Sequence, residues 1–168
     1  MTNDALSSLE SEITNKFNAF ENAVVSSGVT SIGTEAFRDC SALTSVTIPE
    51  GVTSIGLSAF SSCTGLTSIT IPSSVTSIEE HAFLGCSSLN SFVVDSKNQH
   101  FSSVNGLLYS KDGKTLVACP NGLISVTIPK GVTSIGRQAF YNCSSLTSVT
   151  IPEGVTSIGD EAFYSCKG

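Results

Sequence analysis

The stretch VTSIGRQAFYNCSSLTSVTIP, residues 132–152, returns almost letter for letter from Val29, Val52 and Val155. Aligned on its first valine, the phrase starts at Val29, Val52, Val75, Val132 and Val155, at intervals of 23, 23, 57 and 23 residues. The apolar positions keep step. Ile32, Ile55, Ile78, Ile135 and Ile158 share one place, Phe37, Phe60, Phe83, Phe140 and Phe163 a second, and Cys40, Cys63, Cys86, Cys143 and Cys166 a third. A fixed period of this length predicts a solenoid, in which each unit buries its apolar side only against its neighbours.

Within a unit, LTSVTIP points Leu43, Val46 and Ile48 to one side and Ser45 and Thr47 to the other, the alternation of a short strand. Pro49 ends it, because proline has no N–H for a ladder bond. The same strand recurs at Leu66, Leu89, Leu123 and Leu146. VTSI reads as a second, shorter strand-like segment, and GTEAFRDC as a single helical turn that returns the chain. Ala36 is small enough to bring that turn close to the strands, and Phe37 fills the remaining space.

The repeated pattern C-x-x-L-x-x-V-x-I-P-x-x-V-x-x-I-G-x-x-A-F-x-x-C resembles the BspA-like leucine-rich repeat, a 23-residue class of cell-surface proteins, over residues 28–168. The resemblance implies an α/β arc with parallel strands on its concave face and short helical turns and second strand-like segments on its convex side. It also implies a secreted or cell-surface protein that adheres to host matrix proteins or to other cells.

One unit departs from the period. Leu89 and Leu123 are 34 residues apart, eleven more than the repeat, and the enlarged unit spans about residues 95–122. Leu107, Leu108 and Tyr109 before Lys111-Asp112-Gly113, with Thr115, Leu116 and Val117 after it, predict a hairpin in place of the VTSIGxxAFxxC half, with Cys119 near the usual cysteine place. The hairpin either fills the convex side or protrudes toward a partner.

Ahead of the repeats, Leu6, Leu9, Ile13, Phe17, Phe20 and Val24 recur at three and four residues, predicting an amphipathic helix over residues 1–27 with Gly28 at its end. Such a helix would cap the first repeat, or pair with a second chain. With no similar segment after Cys166, the far end is expected to be open to further repeats or to an end-to-end homodimer.

Composition narrows the function. Of 168 residues 40% are hydrophobic and 13% charged, with a net charge of −6. Such a chain folds around a core and has no basic surface for nucleic-acid phosphates or anionic headgroups. No apolar run approaches the roughly 20 residues of a membrane-spanning helix. Residues 1–28 carry no basic segment followed by an apolar one, so the stretch does not read as an export signal.

The cysteines invite chemistry, yet five of the six occupy one place in the unit. They are expected to form a column of buried free thiols about 4.8 Å apart, side by side rather than facing as a disulfide requires, and too linear for a metal. His81 and His100 are the only histidines, and no nucleophile elbow, phosphate loop or zinc helix is present, so no enzyme, cofactor or metal centre is expected. Asn142 opens an Asn-Cys-Ser triplet, a weak glycosylation signal.

The outward strand residues remain. Ser45, Thr47, Ser68, Thr70, Ser125, Thr127, Ser148 and Thr150 are expected in two hydroxyl columns on the concave face, interrupted by Ser91 and Val93. Such faces bind protein ligands in other arcs. Threonine also pairs well across strands without binding anything, and a regular hydroxyl array suits carbohydrate or ice. The reading is therefore a non-enzymatic recognition or adhesion module, with a structural spacer lacking a ligand as the alternative.

Overall fold

A computed structural model describes residues 21–168, which form successive coils of a parallel-strand solenoid. The LTSVTIP stretches supply β3 (Ser45–Thr47), β5 (Ser68–Ile71), β7 (Ser91–Val94), β11 (Ser125–Thr127) and β13 (Ser148–Thr150), and the equivalent place one unit before β3 supplies β1 (Asn22–Val24). The VTSI stretches supply the two-residue strands β2 (Ser31–Ile32), β4 (Ser54–Ile55), β6 (Ser77–Ile78), β12 (Ser134–Ile135) and β14 (Ser157–Ile158). The fourth of the six units adds β8 (Phe101–Val104), β9 (Leu107–Ser110) and β10 (Thr115–Ala118).

Where strands of successive regular units pair, they do so in parallel with the residue 23 positions on: Asn22 with Ser45, Ser54 with Ser77, Ser125 with Ser148 and Ser134 with Ser157, whereas β3 and β5 approach within 8 Å but lie in separate sheets. This register stacks like on like. Phe37, Phe60 and Phe83 form a column with ring centroids 5.0 and 5.5 Å apart and nearly parallel planes, and Phe140 and Phe163 repeat it at 4.7 Å. Val52, Ile55, Leu66 and Ile71 are fully buried. Each side chain of that kind contributes roughly 1.5–3 kcal/mol when taken from water.

The expected helical turns do not form, and no helix occurs among the described residues. The backbone bonds of the AF segment explain why. Ala36, Arg38 and Cys40 donate three residues back, to Gly33, Glu35 and Phe37, while the intervening Glu35, Phe37 and Asp39 donate across to Leu57, Ala59 and Ser61 of the next unit at 2.7–2.9 Å. A helix would turn all these donors inward and leave the coils without a ladder on this side. The alternation needs two left-handed residues per turn, and they recur at Glu35 and Asp39, Ser58 and Ser62, His81 and Gly85, Gln138 and Asn142, and Glu161 and Ser165.

The expected N-terminal helix over residues 1–27 lies, for its first 20 residues, outside those described. Its end is not helical: Asn22, Ala23 and Val24 form β1, paired with β3. At this end the spacing is ambiguous, because the unit's own Cys-x-x-Leu-x-x-Val spacing runs in steps of three, as one face of a helix does, and Ala23 pairs with Val46.

The fourth unit is rebuilt as a meander. β8 and β9 pair antiparallel around Asn105 and Gly106, both at positive φ, the two-residue turn that matches strand twist. β9 and β10 pair antiparallel around Lys111–Lys114, where Asp112 Oδ1 accepts from the Ser110 hydroxyl and the Lys114 N–H. β10 pairs in parallel with β12, so the VTSI strand of this unit survives and only the AF turn is missing. The apolar run Leu107-Leu108-Tyr109 is buried throughout. Leu108 joins the core of the first three units, while Leu107 and Tyr109 join that of the last two.

All six cysteines are free thiols, and all but the half-buried Cys166 are buried. They also donate. The Cys63, Cys86 and Cys166 thiols reach the carbonyls of Phe37, Phe60 and Phe140, one unit back, at 3.0–3.1 Å. Burial pushes the Cys40 thiol up to about 11, and the neighbouring Cys86 thiol together with burial raises Cys63, so neither is a nucleophile at neutral pH.

Two predictions follow from these turns and thiols. In a helix Ser58→Gly would destabilise; at a left-handed position it is expected to stabilise by about 0.5–1 kcal/mol, and Ser58→Val to cost about 1–2 kcal/mol, read by urea unfolding. Because the folded Cys40 pKa lies above its unfolded value, its stabilising contribution is complete below about pH 9 and is lost as pH rises toward 11. The Tm of Cys40→Ala should start lower than wild type at pH 8 and fall less by pH 11; parallel curves would refute this.

Candidate binding surfaces

The eight hydroxyl residues singled out from the sequence all lie exposed on the outward side of their strands. The threonines just before these strands, and at the start of the VTSI stretches, have another duty. Thr44, Thr53, Thr76, Thr147 and Thr156 donate their hydroxyls to the carbonyls of Glu21, Thr30, Thr53, Ile124 and Thr133, in each case one unit back. Of the eight outward residues only Ser45 has a hydroxyl partner among the described residues, Asn22 Oδ1. The other seven hydroxyls point outward without a protein partner among the described residues.

The eight do not share one continuous sheet. Ser45 and Thr47 on β3 and Ser68 and Thr70 on β5 belong to the first half; Ser125, Thr127, Ser148 and Thr150 on β11 and β13 belong to the second. Between them β7 carries Ser91 and Val93 in register with Ser68 and Thr70. No Cα atom of β11 comes within 8 Å of β7, β8 or β9. The outward edge of β7 is met instead by the meander, with the Phe92 N–H on the Gly106 carbonyl at 2.8 Å and the Val94 N–H on the Ser103 hydroxyl at 3.0 Å.

On the turn side, the missing AF turn of the fourth unit leaves a cavity of about 180 Å³ between residues 78–84 and 137–141. Asn121, buried, joins its walls: its carbonyl oxygen accepts from the Gly85 N–H at 3.0 Å, and its amide donates to the Tyr141 carbonyl at 3.0 Å. Cys119 N–H bonds the Ala139 carbonyl at 2.7 Å. At the surface the half-exposed Arg137 and Glu80 pair across the same gap, and the His81 and Tyr141 rings meet at 5.0 Å. The His81 Nε2 atom is buried without a partner among the described residues.

The remaining sequence candidates are placed as follows. His100 is exposed, and its backbone N–H donates to Asn98. Asn142 occupies a left-handed turn position, with its N–H on the Tyr164 carbonyl. Among the described residues no group of three His, Cys, Asp or Glu side chains could hold a metal. Asn98 and Asn121, which tie the fourth unit to its neighbours, escaped the reading of the sequence. Asn98 is fully buried, donates to the Pro72 and Val75 carbonyls and accepts from the His100 and Phe101 N–H groups. The available signal was Asn105-Gly106, which marks a second hairpin and hence a full meander.

Comparison with curated proteins gives no match. Among solved structures, the pneumococcal vaccine antigen PcpA is similar with a TM-score of 0.74 and 28% identity, over 87% of this chain and 37% of that one. A leucine rich cell surface protein from Faecalibacterium prausnitzii is similar with a TM-score of 0.71 and 35% identity, over 86% of this chain and 39% of that one. The Leucine Rich Repeat protein of T. pallidum is similar with a TM-score of 0.52 and 26% identity, over 82% of this chain and 68% of that one. This chain thus spans less than two-fifths of the first two. The profile of the BspA type leucine rich repeat region matches residues 8–105 and 115–168 in six copies. The chain belongs to the BspA-type leucine-rich repeat family.

Proposed function

We propose that this chain is a non-enzymatic recognition module of a surface-associated repeat protein, and that it binds a protein ligand through the hydroxyl-bearing strand face. The observation that carries this reading is the division of labour among hydroxyls. Thr44, Thr53, Thr76, Thr147 and Thr156 spend theirs on the neighbouring unit, whereas Thr47, Ser68, Thr70, Ser125, Thr127, Ser148 and Thr150 spend theirs on nothing within the described residues. An array serving only as a spacer has no need of that difference. The similar chains include a pneumococcal vaccine antigen and a cell surface protein, which supports a place at the cell surface and contact with a host.

The face is neutral, so affinity would come from hydrogen bonds and close fit rather than steering by charge. Immobilised chain is expected to bind extracellular-matrix proteins or cells, measured by surface plasmon resonance and cell attachment. Replacing Ser125, Thr127, Ser148 and Thr150 with Ala should weaken that binding by at least roughly tenfold, with the Tm nearly unchanged. Undiminished binding would remove the strand face from consideration, and no binding by the wild-type chain would favour the spacer.

A further inference from the structure

The cavity in the fourth unit is bounded by main-chain groups that every other junction satisfies. Glu35 and Phe37, Ser58 and Phe60, and Gln138 and Phe140 each donate their N–H across to the next turn, at 2.7–3.1 Å. The corresponding donors of the third unit are His81 and Phe83. His81 holds φ at 59°, as Ser58 does at 53° and Gln138 at 58°, so its N–H points the same way. Neither His81 nor Phe83 finds an acceptor among the described residues, although Gly85 beside them finds one in Asn121. On the facing wall the Ala139 and Tyr141 carbonyls are taken by Cys119 and Asn121, and the Arg137 carbonyl is left over.

We propose that this slot takes a short extended peptide segment of a partner protein, whose main chain stands in for the missing turn. Alternate carbonyls of the segment accept from the His81 and Phe83 N–H groups, and one of its N–H groups donates to the Arg137 carbonyl. Unsatisfied backbone groups are costly, and peptide main chain is the material that satisfies the equivalent N–H groups of the AF turns at Glu35–Asp39, Ser58–Ser62 and Gln138–Asn142. The unpartnered His81 Nε2 adds a further polar contact inside the slot.

The slot also selects side chains. The place a phenylalanine would occupy in the fourth unit is filled, because Phe92 meets Phe83 edge-on at 5.1 Å and Leu108 is fully buried. A cavity of about 180 Å³ then holds main chain with Gly, Ala or Ser but not large side chains. The contacts that close the gap are slight: the Arg137–Glu80 pair is half exposed and therefore weak, and the His81 and Tyr141 rings meet at 5.0 Å. This site is separate from the hydroxyl face and stands or falls independently of it.

The test uses the full chain labelled with ¹⁵N. In the free protein the His81 and Phe83 amides should exchange with D₂O roughly a hundredfold faster than those of Phe60 and Phe140, which hold equivalent places. Adding acetyl-Ser-Ala-Gly-Ala-Ser-amide at millimolar concentration should shift and protect the His81 and Phe83 amides, whereas acetyl-Ser-Leu-Leu-Leu-Ser-amide should not. Ala118→Phe, which fills the slot, should reduce binding of the small peptide by roughly tenfold or more. Exchange at His81 and Phe83 as slow as at Phe60 and Phe140 would overturn the proposal. So would an absence of shifts with the small peptide, which would mean a slot filled by water alone.

Discussion

Backbone satisfaction across units is the constraint on which this structure depends. A unit that contains only short strands and turns cannot close its own hydrogen bonds, so every second N–H must find a carbonyl one unit away. That requirement repeats at each junction and fixes the displacement at 23 residues, which in turn stacks Phe on Phe, Ile on Ile and Cys below Phe. Packing follows from the ladder as much as the ladder from packing. The thiol at the cysteine place shows the coupling, since it fills core volume and also satisfies a carbonyl of the preceding unit.

The fourth unit shows what happens when the displacement changes. Its eleven extra residues break both ladders, and the chain repairs the break in two ways. A strand buried on both faces, β9, sends alternate side chains into two cores, which is why LLY has no polar position. Two buried asparagines then supply side-chain amides where backbone amides are missing, Asn98 beside Pro72 and Val75 and Asn121 between Gly85 and Tyr141. An asparagine side chain carries the same donor and acceptor as a peptide group, so it can replace one rung of a ladder. It cannot replace three, and the remainder stays open.

Much of the fold was legible in the sequence because the apolar positions repeat without drift and the outward strand letters alternate with them. The parts that were not legible share one cause. The AF turn carries apolar residues at a spacing that also suits a helical turn, and the sequence offers no glycine to announce its first left-handed position: Glu35, Ser58, His81, Gln138 and Glu161 occupy it. Only Gly85 fits the usual expectation. What decides between helix and alternating turn is the neighbour's carbonyl, a tertiary partner that no local pattern records. The same holds for the cavity, which is defined by a turn that the sequence lacks rather than by residues it contains.

Regularity and function therefore pull apart along this chain. Where the repeat is intact, the AF turns and the β11–β13 ladder spend their main chain on the neighbouring unit, and side chains such as Thr127 and Thr150 are what a partner meets. Near-identical units make that surface nearly uniform, which favours avidity along the array over discrimination at any one point. Where the repeat fails, main-chain donors and an acceptor come free around a half-open cavity of about 180 Å³. A solenoid built from one phrase gains a distinctive site most readily by interrupting the phrase, because the interruption exposes directional groups that the regular coils keep for themselves.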